Sequence, residues 1–440
     1  MSKDKLSFDD ISTKQILGLI VLAYAFSFLI RMIWVWQFKD TSSFYWNDQL
    51  MINTNDGYFF ASGVQKVIEG LHQSNPRVFG LFDYGVIFLT SLLVKFTHMS
   101  IETAILYMPT IISSLVVIPI ILISRLYNKT LWGFFAALLG SITWSYYNRT
   151  MTGYYDTDMF SAMAPMFILF FLMKSTIDLN IKTVLYGALT IIIYPFLYDQ
   201  GQAIVYAMGI IYAIYMVLFH RNDKITYISI ILIFIALMPL PISGLVQPYS
   251  YLVHILLVIG AYFFLSRRDI DLKALVITSS IVFFLFLLLG DVFTLIFGKI
   301  ISYTVKGTEA EGSLHFYAVN QTVREAGQIP FETFANRTSG SVLGVIIALV
   351  GYILLVIRHR TFIMALPLIG IGVFALWGGL RFTVYAVPIA GMSAVYLFYF
   401  IADRFINDKK ARIAFVAILT AGMIYPNITH IIGYKVPTVL

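Results

Sequence analysis

Long apolar runs separated by short polar breaks make up most of the chain. An α-helix needs about 20 apolar residues to cross the roughly 30 Å hydrocarbon core of a bilayer. By this criterion the pattern predicts about 13 membrane-spanning helices. The predicted spans are 15–36, 106–124, 131–147, 158–174, 183–198, 202–219, 225–241, 248–265, 274–297, 340–357, 361–378, 383–401 and 413–433.

Two long connections interrupt this rhythm, roughly residues 37–105 and 298–339. The other connections are short, which is typical of helices that neighbour each other in a bundle. We therefore expect an all-α polytopic membrane protein whose single domain covers residues 1–440. The two long connections are expected to form external loops built onto that domain.

The short loops predict the orientation, because cytoplasmic loops carry an excess of lysine and arginine. Alternate loops are basic if the N-terminus is cytoplasmic, and the short loops between them are nearly uncharged. Both long connections and the polar break at 146–159 then lie on the outer face. The basic loops contain Arg125 and Lys129; Lys174 and Lys182; Arg221 and Lys224; Arg267, Arg268 and Lys273; Arg358 and Arg360; and Arg404, Lys409, Lys410 and Arg412.

Composition agrees with a membrane protein: 59% of the residues are hydrophobic and 12% are charged, against roughly 25% charged in soluble domains. The absence of cysteine excludes disulfides, thiolate metal sites and cysteine catalysis. The net charge of +7 is explained by the basic loops, so we expect no nucleic-acid partner.

Four acidic residues map to the outer face on this topology. Asp56 lies in NTNDGYFF, Asp156 and Asp158 lie in GYYDTD, and Glu325 lies in NQTVREAG. Carboxylates gathered from separate segments suit a hard divalent cation, since Mg²⁺ and Mn²⁺ prefer oxygen ligands.

Three arginines map to the same face: Arg149, Arg337 and Arg381. A guanidinium binds phosphate oxygens bidentately. An arginine beside a divalent cation would neutralise a diphosphate leaving group as charge develops on it.

Each of these residues also has a simpler interpretation. Asp156 or Asp158 would serve as a helix cap, and Asn-Asp-Gly at Asp56 is an ordinary turn signal. Glu325 would be a solvated loop charge, and Arg381 an interfacial anchor.

The aromatic residues at span edges predict a belt at the membrane interface, and His254 inside a span predicts a hydrogen-bonded core residue. The belt would comprise Trp34, Trp36, Trp144, Tyr146 and Tyr147.

Five stretches in this order resemble a known family: NDGYFFASG, LYMPTIISSLVVIPIILISRLY, LLGSITWSYYNRTMTGYYDTDM, YAVNQTVREA and LRFTVYAVP. They are similar to the bacterial single-subunit oligosaccharyltransferases of the PglB type, homologues of the catalytic subunit of the eukaryotic N-glycosylation complex. The resemblance covers essentially the whole chain. It implies a GT-C glycosyltransferase-like fold in the bacterial inner membrane, with the active site facing the periplasm.

The resemblance implies transfer of an oligosaccharide from undecaprenyl diphosphate to asparagine in Asp/Glu-x-Asn-x-Ser/Thr sequons. The reaction would be inverting and would use Mn²⁺ or Mg²⁺. The implied partners are the lipid-linked oligosaccharide, acceptor polypeptides and membrane lipid, and we expect a monomer.

The family's roles also transfer to individual residues here. Asp56, Asp156, Asp158 and Glu325 match the metal site, and Arg149 follows Asn in the YYNRT block and would support the carboxylates. Asp56, Glu325 and Arg149 are thus the implied catalytic residues.

Substrate contacts follow from the same resemblance. Arg381 and Tyr198 would hold the lipid diphosphate. Asp56, Glu325 and Arg337 would bind the acceptor peptide, with Arg337 pairing with the acidic residue two positions before asparagine.

The sequence departs from the family in three places. Val323 replaces the usual isoleucine in TVRE, and 199–203 reads DQGQA where the family has tyrosine and serine. The motif Trp-Trp-Asp-Tyr-Gly, which reads the sequon Ser or Thr in a soluble C-terminal periplasmic domain, is absent. We interpret the chain as the membrane half of such an enzyme; a disrupted gene and a separately encoded soluble half are the alternatives. We expect sequon binding by this chain alone to be weak.

Two other functions compete with this interpretation. Another polyprenyl-phosphate-dependent GT-C enzyme, such as an O-mannosyl or lipid A aminosugar transferase, would also have an acidic first loop, but TVRE followed by Arg337 argues against it. A non-enzymatic transporter of lipid-linked oligosaccharide would place ionisable groups at mid-membrane depth. Here those groups cluster at one face.

Overall fold

The structure is a computed structural model that describes residues 11–70, 77–239, 249–304 and 324–433. It is mostly helical, as expected from the apolar runs. The α-helices are Thr13–Phe38, Asn55–Ile68, Gly85–Thr97, Ile101–Ser113, Val117–Arg125, Thr130–Gly140, Trp144–Asn148, Met163–Asp178, Ile181–Leu197, Gln202–His220, Lys224–Leu237, Tyr249–Arg267, Leu272–Leu289, Val292–Thr304, Phe331–Ser339, Val342–Arg358, Leu366–Gly378, Val387–Phe405 and Lys409–Ile432. Short 3₁₀ turns are Ser42–Phe44, Ser114–Val116, Thr157–Phe160, Asp199–Gly201, Arg324–Ala326, Arg360–Ala365 and Leu380–Ala386.

Nine helices in the described ranges are long and apolar enough to cross a membrane, or ten if one bent pair forms a single span. That pair, Phe331–Ser339 and Val342–Arg358, meets at an angle of 70°. Three shorter apolar helices coincide with further predicted spans: Thr130–Gly140, Ile181–Leu197 and Lys224–Leu237. A membrane protein of many helical spans is therefore confirmed, whereas the count of about 13 stays a prediction.

One predicted span is wrong in extent. The apolar run at 274–297 contains two helices, Leu272–Leu289 and Val292–Thr304. Asp291 between them has a φ of 44°, in the left-handed region, which interrupts a right-handed helix. Hydropathy misses this break because the helices on both sides of it are apolar.

The first long connection is folded rather than irregular. It contains a two-stranded hairpin, Tyr45–Trp46 against Gln49–Leu50, and the helices Asn55–Ile68 and Gly85–Thr97. The hairpin turn places Asn47 and Asp48 at positive φ, the geometry that asparagine and aspartate tolerate best after glycine. In the second long connection, residues 305–323, which include Val323, lie outside the described residues.

Small residues set the closest helix contacts in the bundle. A Cβ added to Gly351 would lie 1.9 Å from the Ser393 carbonyl oxygen, and one added to Gly391 would lie 3.0 Å from the Gly140 Cα. The helices Thr130–Gly140, Val342–Arg358 and Val387–Phe405 therefore pack backbone to backbone, as small residues allow in membrane proteins. These helices adjoin the segments that carry Arg149, Arg337 and Arg381, so this packing fixes the frame of the candidate site.

Most of the predicted aromatic belt is buried. Trp34, Tyr146 and Tyr147 are at most 1% exposed, and the Tyr146 hydroxyl donates to the Ser113 carbonyl. Trp36 is exposed, as a belt residue should be. The belt interpretation is wrong for the three buried residues, because the polar break that contains two of them folds back into the protein instead of facing the lipid.

His254 is hydrogen-bonded, as predicted, but it is half-buried and not part of the core. Its Nε2 lies 2.6 Å from the Ile235 carbonyl oxygen. Four residues after Ile235 comes Pro239, which has no N–H to continue the helix. The imidazole therefore donates to a carbonyl that no backbone N–H four residues later can satisfy.

Candidate active site

Arg149 joins two carboxylates at one end of the helix bundle. It follows the helix Trp144–Asn148 and is 6% exposed. One terminal nitrogen donates to Asp158 and the other to Glu325. A buried guanidinium with two carboxylate partners is a strong, geometrically defined contact. It brings the GYYDTD segment and the second long connection together.

Asp156 lies beside this pair and caps the short turn Thr157–Phe160. Its carboxylate accepts from the Thr157 backbone N–H at 2.6 Å, so the capping interpretation is right for Asp156 but not for Asp158. Burial raises the pKa of the Asp156 carboxyl to about 7, and the neighbouring Asp158 charge also acts to raise it. Two carboxylates this close repel each other, so the site favours a further positive charge.

Asp56 is exposed in the first turn of the helix Asn55–Ile68. The next residue packs directly against the GYYDTD segment: a Cβ on Gly57 would lie 2.6 Å from the Tyr155 carbonyl oxygen. The backbone N–H of Asn53 also donates to the Gly153 carbonyl at 2.9 Å. These contacts place the backbone of Asp56 next to that of Asp156. Asn-Asp-Gly thus opens a helix, and its glycine permits close approach rather than forming a turn.

A second glycine positions Glu325. Gly379 has a φ of 106°, which only glycine adopts without strain. A Cβ there would lie 2.0 Å from the Glu325 carbonyl oxygen. The backbone of Glu325 therefore rests on the segment that carries Arg381, two residues further on.

Arg381 and Tyr198 line a cavity of about 290 Å³. Asp158 and Tyr385 also line it, and the Tyr385 hydroxyl donates to the Tyr198 hydroxyl at 3.1 Å. The remaining wall is apolar apart from Gln200: Ala203, Ile204, Ala207, Ile296, Ile300, Gly370, Ile371, Phe374 and Phe382. A cavity that is polar at one end and apolar elsewhere suits a ligand with a charged head and a hydrocarbon tail.

Arg337 is buried in the helix Phe331–Ser339, 9% exposed. Its Nε donates to the Thr383 hydroxyl at 3.4 Å, and that hydroxyl donates to the Leu380 carbonyl at 2.6 Å. Arg337 thus contacts the Arg381 segment from the side of the second long connection.

The donor set fits a hard cation in its chemistry. Asp156, Asp158 and Glu325 supply only oxygen, the ligand type preferred by Mg²⁺ and Mn²⁺. Asp156 forms no ion pair with any described residue, although burial makes an unpaired charge costly. Within the described ranges, no three His, Cys, Asp or Glu side chains already form a metal-binding group. Arg149 instead holds Asp158 and Glu325.

Sequence reasoning missed Gly57, Gly379 and Tyr385. Asn-Asp-Gly and the Gly-Gly pair before Arg381 are visible in the sequence, but a glycine does not reveal whether it serves a turn or a close approach. Tyr385 has no local signal, because its role comes from contact with Tyr198.

Comparison with known proteins gives concordant matches. A family model described as "Oligosaccharyl transferase STT3, N-terminal" matches residues 14–431. An undecaprenyl-diphosphooligosaccharide–protein glycotransferase of Campylobacter jejuni strain RM1221 is 37% identical over 435 residues, 96% of this chain and 58% of that protein. The chain thus spans less than two thirds of that relative.

Solved structures share the fold. An Archaeoglobus fulgidus oligosaccharyltransferase, AglB, in complex with an inhibitory peptide and a dolichol-phosphate matches with a TM-score of 0.65 at 17% identity, over 95% of this chain and 55% of that one. A structure of the Archaeoglobus fulgidus enzyme with Zn and sulfate matches with a TM-score of 0.62 at 16% identity, over 94% and 52%.

Proposed function

The chain belongs to the oligosaccharyl transferase STT3 family, and we propose that it transfers an oligosaccharide from undecaprenyl diphosphate to the side-chain amide of asparagine. One observation carries the proposal: Arg149 joins Asp158 to Glu325, beside an apolar cavity that ends at Arg381. The Campylobacter relative is named for this reaction class.

The donor would bind in the cavity. Arg381 would pair with the diphosphate, because a guanidinium matches phosphate oxygens bidentately. Tyr198 would donate a hydrogen bond to it, and the apolar wall would accept the first isoprene units. The archaeal neighbour solved with a dolichol-phosphate supports a polyprenyl ligand for this fold.

The acceptor asparagine would lie between Asp56 and Glu325. An amide nitrogen is a poor nucleophile because its lone pair is delocalised into the carbonyl. Carboxylates that accept from both amide N–H groups would weaken that conjugation. Asp56 is exposed and the Glu325 side chain is 45% exposed, so an acceptor entering from solvent can reach both.

Arg337 would recognise the acidic residue of an Asp/Glu-x-Asn-x-Ser/Thr sequon. Its guanidinium is largely buried, which strengthens an ion pair with a peptide carboxylate relative to one in water.

Mn²⁺ or Mg²⁺ would bind to oxygens of Asp56, Asp156, Asp158 and Glu325. When bound, it would neutralise charge on the departing diphosphate. Arg149 would keep Asp158 and Glu325 at a fixed separation. A structural neighbour solved with Zn and sulfate supports a cation and an anion site in this fold.

The reaction would be a direct inverting displacement. A bond would form between the amide nitrogen and the anomeric carbon as the bond from that carbon to the diphosphate oxygen breaks. The amide would lose one N–H proton to a carboxylate, and Arg381 would stabilise the leaving diphosphate.

We place this chemistry in a transmembrane catalytic domain, residues 1–440, of the bacterial inner membrane. The N-terminus would be cytoplasmic, the connections 37–105 and 298–339 would face the periplasm, and the chain would act as a monomer among membrane lipids.

The test uses the purified 440-residue chain, undecaprenyl-diphosphate-linked oligosaccharide and a fluorescent Asp-x-Asn-x-Thr peptide, at peptide concentrations high enough to offset the weak sequon binding expected of this chain. Asp56→Ala and Glu325→Ala should each abolish transfer, while Glu332→Ala, at an exposed position seven residues after Glu325, should not. Wild-type turnover in either site variant contradicts the proposal. Replacing the peptide Asp by Gln should lower transfer, and an indifferent enzyme would favour another polyprenyl-phosphate transferase.

A further inference from the structure

Arg31 is a charged residue inside the first apolar helix, Thr13–Phe38, and it is 0% exposed. It forms no salt bridge with any described acidic residue. Burying a guanidinium costs several kcal/mol unless all its donors are satisfied, so its contacts must account for its presence.

All three guanidinium nitrogens donate to neutral oxygens. Nη1 donates to the Ser27 hydroxyl at 2.6 Å on its own helix. Nη2 donates to the Ser141 carbonyl at 2.7 Å and to the Thr150 hydroxyl at 2.9 Å. Nε donates to the Thr150 carbonyl at 3.1 Å.

Two of the acceptor residues, Ser141 and Thr150, lie on either side of the helix that precedes Arg149. Ser141 comes before Trp144–Asn148, and Thr150 directly follows Arg149. The central carbon of the guanidinium, Cζ, also lies over the Tyr146 ring, 5.1 Å from its centroid. One side chain therefore fixes the start, the middle and the end of this segment.

A hydrogen bond also runs from the polar break back to the helix that carries Arg31. The Thr152 hydroxyl donates to the Arg31 carbonyl at 2.9 Å, so the backbone of Thr13–Phe38 is itself joined to the polar break. A planar five-donor group can bind three separate acceptor sites, whereas an ammonium on a flexible stem cannot hold the same geometry.

We propose that Arg31 is a positioning residue for the candidate active site: it fixes the backbone on both sides of Arg149, and thereby the placement of the guanidinium that joins Asp158 to Glu325. The consequence for the cation rests on the proposed function. Arg31 touches neither substrate nor carboxylate and acts through Arg149.

The experiment is a double-substitution cycle on the purified chain, with Arg31→Gln, Arg149→Gln and the pair. Mn²⁺ affinity is measured by electron paramagnetic resonance with MnCl₂, and the thermal unfolding midpoint is measured for each variant. Arg31→Gln should weaken Mn²⁺ binding about tenfold, a typical cost of removing an outer-shell support. In the Arg149→Gln background the same substitution should leave Mn²⁺ affinity unchanged.

Two further variants separate positioning from general stability. Thr150→Val removes one acceptor with little change in shape and should weaken Mn²⁺ binding in the same direction. Arg412→Gln removes another buried arginine, one that binds Asp403 and the Ile406 carbonyl, and should lower the midpoint without changing Mn²⁺ affinity. Arg31→Lys should weaken Mn²⁺ binding as Arg31→Gln does, because lysine lacks the planar fork.

Equal losses of Mn²⁺ affinity in both Arg149 backgrounds, or no loss in Arg31→Gln, overturn the proposal. If the wild-type chain binds no Mn²⁺, the metal site of the proposed function is contradicted. Arg31 is then judged on the midpoints alone: a combined shift smaller than the sum of the single shifts supports it, and additive shifts overturn it.

Discussion

Arg149 binds Asp158 with one arm of its guanidinium and Glu325 with the other, although 176 residues separate Arg149 from Glu325. The contact joins the polar break to the second long connection through a buried guanidinium. Both carboxylates are held by the Arg149 guanidinium, so the geometry of that group determines their separation.

Arg149→Lys should lower transfer by about 100-fold or more, because small misplacements of positioning groups have effects of that size. Lysine keeps the charge but lacks the planar fork that reaches two carboxylates. Turnover is measured with a sequon peptide. The control is Lys174→Ala, which removes a solvent-exposed pair with Asp178 and should leave turnover unchanged.

Gly379→Ala should destabilise the protein by about 1–3 kcal/mol, the usual cost of a strained backbone conformation. The added Cβ would also displace Glu325, so transfer should fall more than stability explains. Thermal unfolding and turnover are compared. Gly422→Ala meets no atom within 4 Å and should be neutral or slightly stabilising; equal behaviour of the two variants would refute the role of Gly379.

Gly57→Ala should separate Asp56 from the GYYDTD segment, because its Cβ would meet both Ile52 and the Tyr155 carbonyl. We expect Mn²⁺ affinity to fall about tenfold, the low end of the range found when an outer-shell support of a metal ligand is removed. Titration with MnCl₂ measures this. Gly18→Ala, in open surroundings, is the matched control, and a similar affinity in both variants would contradict the placement of Asp56.

Arg381→Gln should weaken binding of undecaprenyl diphosphate by about 10- to 100-fold, since a hydrogen bond to a charged group contributes about 1.5–3 kcal/mol. The measurement is displacement of a fluorescent lipid from the cavity. Arg358→Gln removes an arginine that lies over Phe400 instead and should not alter affinity. Unchanged binding by Arg381→Gln would mean that the diphosphate lies elsewhere.

His254→Leu should lower stability by about 0.5–1.5 kcal/mol, the usual net contribution of a hydrogen bond, since this pair is half-buried. The Ile235 carbonyl would lose its imidazole partner. Transfer should be unaffected once the protein is folded. His254→Gln retains a donor and should recover part of the loss; a loss of turnover without a change in stability would show instead that the residue acts in the reaction.

The apolar pattern predicted most helices because a segment in lipid must satisfy its own backbone hydrogen bonds and reach across the bilayer. It failed at Asp291, where a break depends on one residue's backbone conformation rather than on hydropathy. It also failed for Tyr146 and Tyr147, because an aromatic residue at a span edge has the same sequence signature whether it faces lipid or protein.

The candidate site could be predicted in its residue types and less so in its contacts. Asp56, Asp156, Asp158, Glu325 and Arg149 stood out because charges are rare in this sequence. Arg31 did not stand out, since a lone arginine near the end of an apolar run resembles an interfacial anchor. Arg31 is fully buried in the structure, which distinguishes it from an interfacial anchor.

The sequence by itself determined that the chain is a helical membrane protein and which ionisable residues lie outside the apolar runs, because both depend on local length and polarity. Only the tertiary structure decided that Arg149 joins Asp158 to Glu325 and that Gly57 brings the first long connection against the polar break. It also decided that Gly379 brings Glu325 against the segment that carries Arg381, and that Arg31 binds the backbone on both sides of Arg149. These contacts link residues far apart in the chain. They are set by how closely helices pack, and no local pattern of hydrophobic and polar positions records that distance.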